Sequence, residues 1–424
     1  MRRFGGQYVE RVVDRTLDEM LGQLPALLLD GPRGVGKTTT AMQRAQRVIR
    51  LDDAAERAVV EADPSRVAAG PYPVLIDEWQ RVPEVWDVVR RAVDDDYSAG
   101  RFLLTGSEPG IETHSGAGRI ATLRMRPLTL PERGVSTALV SLADLVEGGT
   151  PSGLAEMGLD EYVAAMLQSG FPGLQELSGT GLRSQLDSYV DRIVEHDMAQ
   201  FGHAIRRPAT VRSWLAAYAA ASASPTSWDK IRDAATPGDD SKPAKRTLIG
   251  YRDALTALRI LDDVEAWIPS HNHLRRLTHA PKHHLADAAL AARLTRVTAT
   301  TLLEGASPSG WIVRDGTFLG ALFETMVVQS VRVFSQPLGA RVYHLRTQDT
   351  RHEVDAIIEL PEGGIVAVET KLARTITDDD TKHLIWLRDK IRDDLVAAIV
   401  VHTGPEAYTR RDGVHVVPLA LLGP

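Results

Sequence analysis

The sequence predicts an α/β chain of several domains, with a P-loop-type parallel sheet at the N-terminal end. An all-α and winged-helix region follows, and a second α/β domain closes the chain. Three observations carry this. Short apolar runs at Ala26–Leu29, Val74–Ile76 and Phe102–Leu104 alternate with segments of helical spacing, the pattern of strands covered by helices on both faces. Strand signals thin out from about Pro127 and return near Arg341. A length of 424 residues exceeds what one hydrophobic core usually spans, so two to four domains are expected.

In chain order, Tyr8–Leu21 has helical spacing, and Ala26–Leu29 leads through Asp30 into a glycine-rich turn. Thr38–Arg50 reads as a helix, and Val82–Val93 as another between two strands. Leu159–Gln168 and Leu182–Gln200 read as helices. Ala209–Ser222, Trp228–Ala234 and Pro243–Leu258 are three further helices, with Thr236–Lys242 breaking the second from the third. With Leu261–Ile268 as a small strand pair, they match a winged helix-turn-helix. The last domain opens with a helix at Phe318–Phe334. Strands follow at Arg341–Leu345, Glu353–Glu359 and Ile365–Thr370, then a helix at Asp378–Arg392 and a strand at Leu395–His402. The expected domains are residues 1–135, a helical linker or lid at 136–205, the winged region at 206–300, and a final domain at 311–424.

Composition narrows the class. Apolar residues make up 43% and charged residues 25%, as in ordinary globular chains. A net charge of −7 argues against unspecific nucleic-acid coating, though not against a local basic patch. The absence of cysteine excludes disulfides, Cys-ligated zinc and a thiol nucleophile. The N-terminal residues lack the apolar stretch of a signal peptide, and no apolar run reaches the roughly 18 residues of a membrane span. A cytoplasmic protein with no membrane partner is the expectation.

The segment Gly31-Pro32-Arg33-Gly34-Val35-Gly36-Lys37-Thr38 fits G-x-x-x-x-G-K-[ST] between a strand and a helix. Its glycines let backbone N–H groups curl around phosphate oxygens. Lys37 would reach the β and γ phosphates, Thr38 would ligate magnesium, and the helix start at Thr38 and Thr39 would face the phosphates. Val74-Leu75-Ile76-Asp77-Glu78 is an apolar strand ending in two acids, in the form of a Walker B element. Asp77 would hold the magnesium and Glu78 would act as general base. Thr105 and Ser107, at the next strand end, would place the water. Arg119 is a candidate arginine finger, which can act from a neighbouring subunit of a homo-oligomer. ATP, ADP and Mg²⁺ are the ligands this pattern implies.

These motifs, GPRGVGKTT, LIDEWQRVPEVWD, LLTGSEP and GRIATLRMRPLTLPE, resemble a group of uncharacterised prokaryotic AAA-type ATPases. That group is similar to archaeal-type and signal-transduction ATPases with a fused winged helix. Later segments resemble the same group: SGFPGL, YVDRIVEHD, PKHHLADAAL and GALFETMV. His196 departs from the pattern, where an arginine usually precedes the aspartate. The resemblance implies ATP hydrolysis. Lys242, Lys245, Arg246 and Arg252 fall where a recognition helix would meet DNA, although a solvated face explains them equally.

In the last domain, Asp355 on one strand and Glu369-Thr370-Lys371 on the next would be brought together by the turn Pro361–Gly364, with Glu324 on the preceding helix. Carboxylates in that number bind divalent metals, and Lys371 would assist at a phosphodiester. The set is similar to the PD-(D/E)XK nuclease fold. That likeness implies Glu324, Asp355 and Glu369 as metal ligands, and Asp355, Glu369 and Lys371 as catalytic residues. Glu369 and Lys371 as a plain ion pair is the alternative. His271, His273, His279, His283 and His284 match no metal spacing and read as surface or interdomain residues.

Overall fold

The computed structural model describes residues 8–106, 117–198, 208–236, 245–268, 280–303, 316–347 and 349–424. Two compact units are present. One holds Met1–Pro127 with Phe171–Gly173 and Leu255–Ile260, and the other holds the remainder.

The first unit is built on five parallel strands: β1 (Ala26–Asp30), β2 (Arg47–Arg50), β3 (Val74–Asp77), β4 (Phe102–Thr105) and β5 (Ile120–Arg124), in the order β2-β3-β4-β1-β5. Its helices are α1 (Val12–Leu21), α2 (Lys37–Met42), α3 (Ala54–Ala62) and α4 (Glu84–Asp95). The residues of β3 and β4 are buried throughout, as parallel strands between helices must be. Val85, Trp86, Val89 and Val93 form one stripe along α4 and pack into the same core as Val74, Ile76, Phe102 and Leu104. The helix expected over Thr38–Arg50 stops at Met42. Arg47–Arg50 instead forms an edge strand on β3, because its β-branched pair Val48 and Ile49 suits a pleated strand better than a helix end. Strand β5 was not expected.

The second unit contains β6 (Val140–Ser141), α5 (Leu142–Val146), β7 (Gly153–Leu154), α6 (Leu159–Gln168), α7 (Gly179–Arg192), α8 (Pro208–Ala220), α9 (Trp228–Ala235), α10 (Lys245–Ala257), α11 (Ala288–Leu294), α12 (Ala299–Leu303) and α13 (Gly316–Phe334). The last residues of α10 are counted with the first unit. After α13 come β8 (Arg341–Arg346), β9 (Glu353–Glu359), β10 (Ile365–Lys371), α14 (Asp378–Ile391), β11 (Leu395–His402), β12 (Glu406–Thr409), β13 (His415–Pro418) and β14 (Leu422–Gly423). A mixed sheet runs β7-β12-β13-β11-β10-β9-β8.

Three features differ from the sequence reading. The 136–205 segment is not only a helical linker, because β7 extends the C-terminal sheet and β6 pairs with β14. The stretch Leu261–Ile268 does not fold back as a strand pair. Single bridges join Leu261 to Leu285, Val264 to Lys282 and Ala266 to His344. Finally, α13 contains a window, Thr317–Phe334, long and apolar enough to cross a membrane, but 67% of that window is buried inside the protein. It is the core helix lying on β8, β9 and β10.

Candidate functional site

The P-loop leaves the C-terminal end of β1. Gly36 has φ +108°, a left-handed conformation that glycine adopts without strain, and a Cβ on Gly31 would lie 2.5 Å from the Met125 carbonyl oxygen. The Arg11 guanidinium braces the loop from outside by donating to the carbonyls of Val35 (3.1 Å) and Arg126 (2.7 Å). Inside, Lys37 is 5% exposed, and its Nζ donates to the Gly31 and Pro32 carbonyls at 2.7 and 3.1 Å. Burial lowers the Lys37 pKa to about 8, with Glu78 and Asp30 acting in the opposite sense.

The neighbouring strand ends converge on one carboxylate. Thr38 Oγ1 and Thr105 Oγ1 both donate to Asp77 Oδ1, at 2.8 and 2.5 Å. Register explains this, since Asp77 stands opposite Thr105 across β3 and β4. Burial raises the Asp77 pKa despite both hydroxyls. Glu78 follows with φ 56°, a strained conformation for a non-glycine residue, and its Oε2 accepts from Gln80 Nε2 at 2.7 Å. Hydroxyl, carboxylate and ammonium thus face one loop, a donor set that suits magnesium and phosphate. Pro32, Arg33, Gly34, Val35 and Thr39 complete the loop and the first turn of α2.

Ser107 lies outside the described residues, and Arg119 is placed otherwise than expected. Arg119 immediately precedes Ile120, which pairs with Ala26 at the end of β1 away from the P-loop, and it donates to Asp94 at 2.6 Å. It cannot reach the phosphates of its own subunit, because the length of β1 intervenes. The sequence reading missed Arg11, Arg124 and Arg259. Arg124 and Arg259 hold Asp30, just ahead of the loop, at 3.3 and 2.8 Å. The alternation of β5 around GRIATLRMR was the available signal for Arg124; nothing local marks Arg259.

In the second unit, the acids expected to converge do so. Val368 pairs with Ala356, so Glu369 and Asp355 are the next neighbours across β10 and β9. Thr370 N–H donates to Asp355 Oδ2 at 2.9 Å, and Lys371 Nζ donates to Glu369 Oε1 at 2.8 Å. An unexpected group stands among them. Lys282 is 0% exposed, and its Nζ lies 2.6 Å from Glu324 Oε1, 2.9 Å from Glu353 Oε1 and 3.0 Å from Asp355 Oδ1. Burial opposes its charge, but Glu324, Asp355 and Glu353 outweigh burial and raise its pKa well above the ordinary value. Burial, reinforced by Asp355, lifts Glu324 and Glu369 to about 8.

A magnesium ion does not fit this arrangement. Asp355, one of the expected ligands, has one oxygen on Lys282 and the other on the Thr370 amide. A divalent ion about 4 Å from a fixed ammonium would be repelled by roughly 8 kcal/mol at an effective dielectric of about 20. Among the described residues, no group of three or more His, Asp or Glu is arranged to hold a metal.

The histidine reading also needs correction. His283 and His284 are buried, because residues 282–285 run extended between two layers and alternate side chains enter both. His283 packs edge-on against Trp228 at 4.5 Å, and His284 meets Thr325 Oγ1 at 3.1 Å. His271, His273 and His279 lie outside the described residues. On α10, Lys245 pairs with Asp229 at 3.0 Å, Arg252 lies over the Trp228 ring at 5.4 Å, and Arg246 is exposed. Lys242 lies outside the described residues.

Residues 23–133 match a family described as an AAA domain, which agrees with the P-loop of the first unit. Residues 159–301 and 319–422 match two families described as domains of unknown function. Uncharacterised proteins of Mycobacterium bovis and Mycobacterium tuberculosis are each 27% identical over 415 residues, covering 95% of this chain and 82% of theirs. Among solved structures, a Walker-type ATPase of Pyrococcus abyssi is similar at 18% identity and a TM-score of 0.40, over 70% of this chain and 97% of that one. The ORC2 protein of Aeropyrum pernix is similar at 15% identity and a TM-score of 0.28, over 67% of this chain and 90% of that one.

Proposed function

We propose that the chain hydrolyses ATP at the P-loop and uses its nucleotide state to act on nucleic acid. The observation that carries the first part is the meeting of Thr38 and Thr105 on Asp77 Oδ1 beside the buried ammonium of Lys37. Lys37 exchanges the Gly31 and Pro32 carbonyls for the β and γ phosphates. The backbone N–H groups of Arg33–Thr39 cradle the phosphate oxygens. Thr38 and Asp77 would hold magnesium, which when bound would neutralise phosphate charge. Glu78 takes the proton of the attacking water, and Thr105 orients that water. Any arginine-finger role of Arg119 requires a second copy of the chain.

The nucleic-acid part rests on the order of α8, α9 and α10 and on the exposed first turn of α10, with Lys245 and Arg246. Phosphate release by wild type, Lys37→Ala and Glu78→Gln tests the hydrolysis. The variants are expected to release phosphate at background rate, and unchanged release would refute the assignment. For the second part, fluorescence anisotropy with labelled duplex DNA compares wild type with Lys245→Glu/Arg246→Glu. Weaker binding by the variant supports α10 as the contact, and equal affinity removes it.

A further inference from the structure

The arrangement around Lys282 points to an inference of our own: this lysine is a resident cation in the place that a divalent metal takes in a nuclease-like carboxylate cluster. The C-terminal acids are therefore a structural ion cluster, and the domain works without metal-dependent cleavage.

Three observations lead there. Carboxylates from α13 (Glu324) and β9 (Glu353, Asp355) converge on one ammonium at 2.6–3.0 Å, which is how a cation is held rather than how surface ion pairs form. Both Asp355 oxygens are engaged, Oδ1 by the Lys282 ammonium and Oδ2 by the Thr370 amide. The lysine is also held by its backbone. Lys282 and Val264 exchange N–H···O bonds of 2.9 Å in both directions, and His283 N–H donates to Ser224 O at 3.0 Å. Beside it, the His283 ring nitrogen Nε2 lies 2.7 Å from the Thr226 carbonyl oxygen. Residues on either side of the Lys282 peptide are thus tied to separate segments, which keeps the side chain in the cluster.

The chemistry follows from the identity of the cation. An ammonium has no open coordination position, so it cannot bind and acidify a water or polarise a phosphodiester as a metal does. It neutralises charge on Glu324, Glu353 and Asp355, whereas Glu369 meets Lys371 through Oε1 and keeps Oε2 buried without a hydrogen-bond partner among the described residues. Lys371, paired with Glu369, remains as a positive group at the edge of a cleft of about 740 Å³ that Thr317, Phe318 and Ser224 also line. The cluster joins the segment around Lys282 to α13 and β9, so the middle of the chain and the C-terminal sheet share one buried anchor.

Manganese, which reports on magnesium sites by electron paramagnetic resonance, provides the test on the full chain without nucleotide. Wild type and Asp355→Asn are expected to bind Mn²⁺ equally, because neither has a metal site at Asp355. Lys282→Ala is expected to gain a site at least about tenfold tighter than any in wild type, lost again in Lys282→Ala/Asp355→Asn. A wild-type site that Asp355→Asn abolishes would overturn the inference. So would a folded Lys282→Ala that gains none. If Lys282→Ala does not fold, the comparison of wild type with Asp355→Asn still decides. A second readout is cleavage of plasmid DNA and single-stranded RNA with Mn²⁺. No cleavage dependent on Asp355 supports the inference, and wild-type cutting that Asp355→Asn removes overturns it.

Discussion

Lys37 and Lys282 are both buried lysines close to carboxylates, and they are in opposite situations. Lys37 Nζ hydrogen-bonds the Gly31 and Pro32 carbonyls, and burial pulls its pKa down to about 8 against the pull of Glu78 and Asp30. Lys282 has three carboxylates, and they drive its pKa far up. A buried ammonium without a full set of counter-charges waits for an anion, whereas one that has the set is structure. That difference separates the open site of the first unit from the filled cluster of the second.

The largest effects should come from breaking the open site. Lys37→Ala and Glu78→Gln are expected to lower the ATP turnover number by about a hundredfold or more, since each removes a group that acts on the reacting phosphate or water. Glu78→Gln should keep ATP affinity while losing turnover, and a parallel loss of both would mean that Glu78 serves binding instead. Breaking the filled cluster should act on stability. Lys282→Met leaves buried Asp355 and partly buried Glu324 and Glu353 without their shared cation and is expected to cost about 3–5 kcal/mol in denaturant unfolding. A value within about 0.5 kcal/mol of wild type would mark the cluster as dispensable.

A smaller effect concerns His344, which stands near the cluster. Burial, with Lys282 adding to it, lowers its pKa from 6.5 to about 4. Between those values the unfolded chain binds the extra proton and the folded chain does not. Its stabilising effect is therefore complete above about pH 6.5 and is lost as pH falls toward 4, by up to about 3 kcal/mol. His344→Gln should flatten that part of a stability–pH curve, and an unchanged slope would place the titration elsewhere. The smallest effect sharpens the comparison from the Lys37 side. Its charged form is needed for phosphate, so ATP affinity should fall as pH rises through about 8, by at most about tenfold per unit. Affinity constant up to pH 10 would contradict an unsaturated Lys37.

The first unit was largely legible in the sequence because its signals are local. The P-loop is continuous, and Asp77 and Thr105 sit at strand ends whose register follows from parallel pairing. The edge strands were less legible, since Arg47–Arg50 and Ile120–Arg124 are short and serve either period. In the second unit, Asp355, Glu369 and Lys371 could be read because a tight turn joins their strands. Gly363 and Gly364, at φ 92° and 86°, make that turn. Lys282 could not be read, because its partners Glu324, Glu353 and Asp355 are distant in the chain and no short-range pattern links them. The one available hint was charge: the three acids expected to converge, Glu324, Asp355 and Glu369, need more than Lys371 to balance them.

The most direct test of the contrast between the two lysines is equilibrium binding of ATP with Mg²⁺ at pH 7, measured by calorimetry on the full chain. Wild type is expected to bind one ATP, and Lys37→Ala is expected to bind about ten- to a hundredfold more weakly, the worth of a charge-assisted contact to phosphate. Wild type that binds no ATP, or a Lys37→Ala variant that binds it as tightly as wild type, would contradict the account.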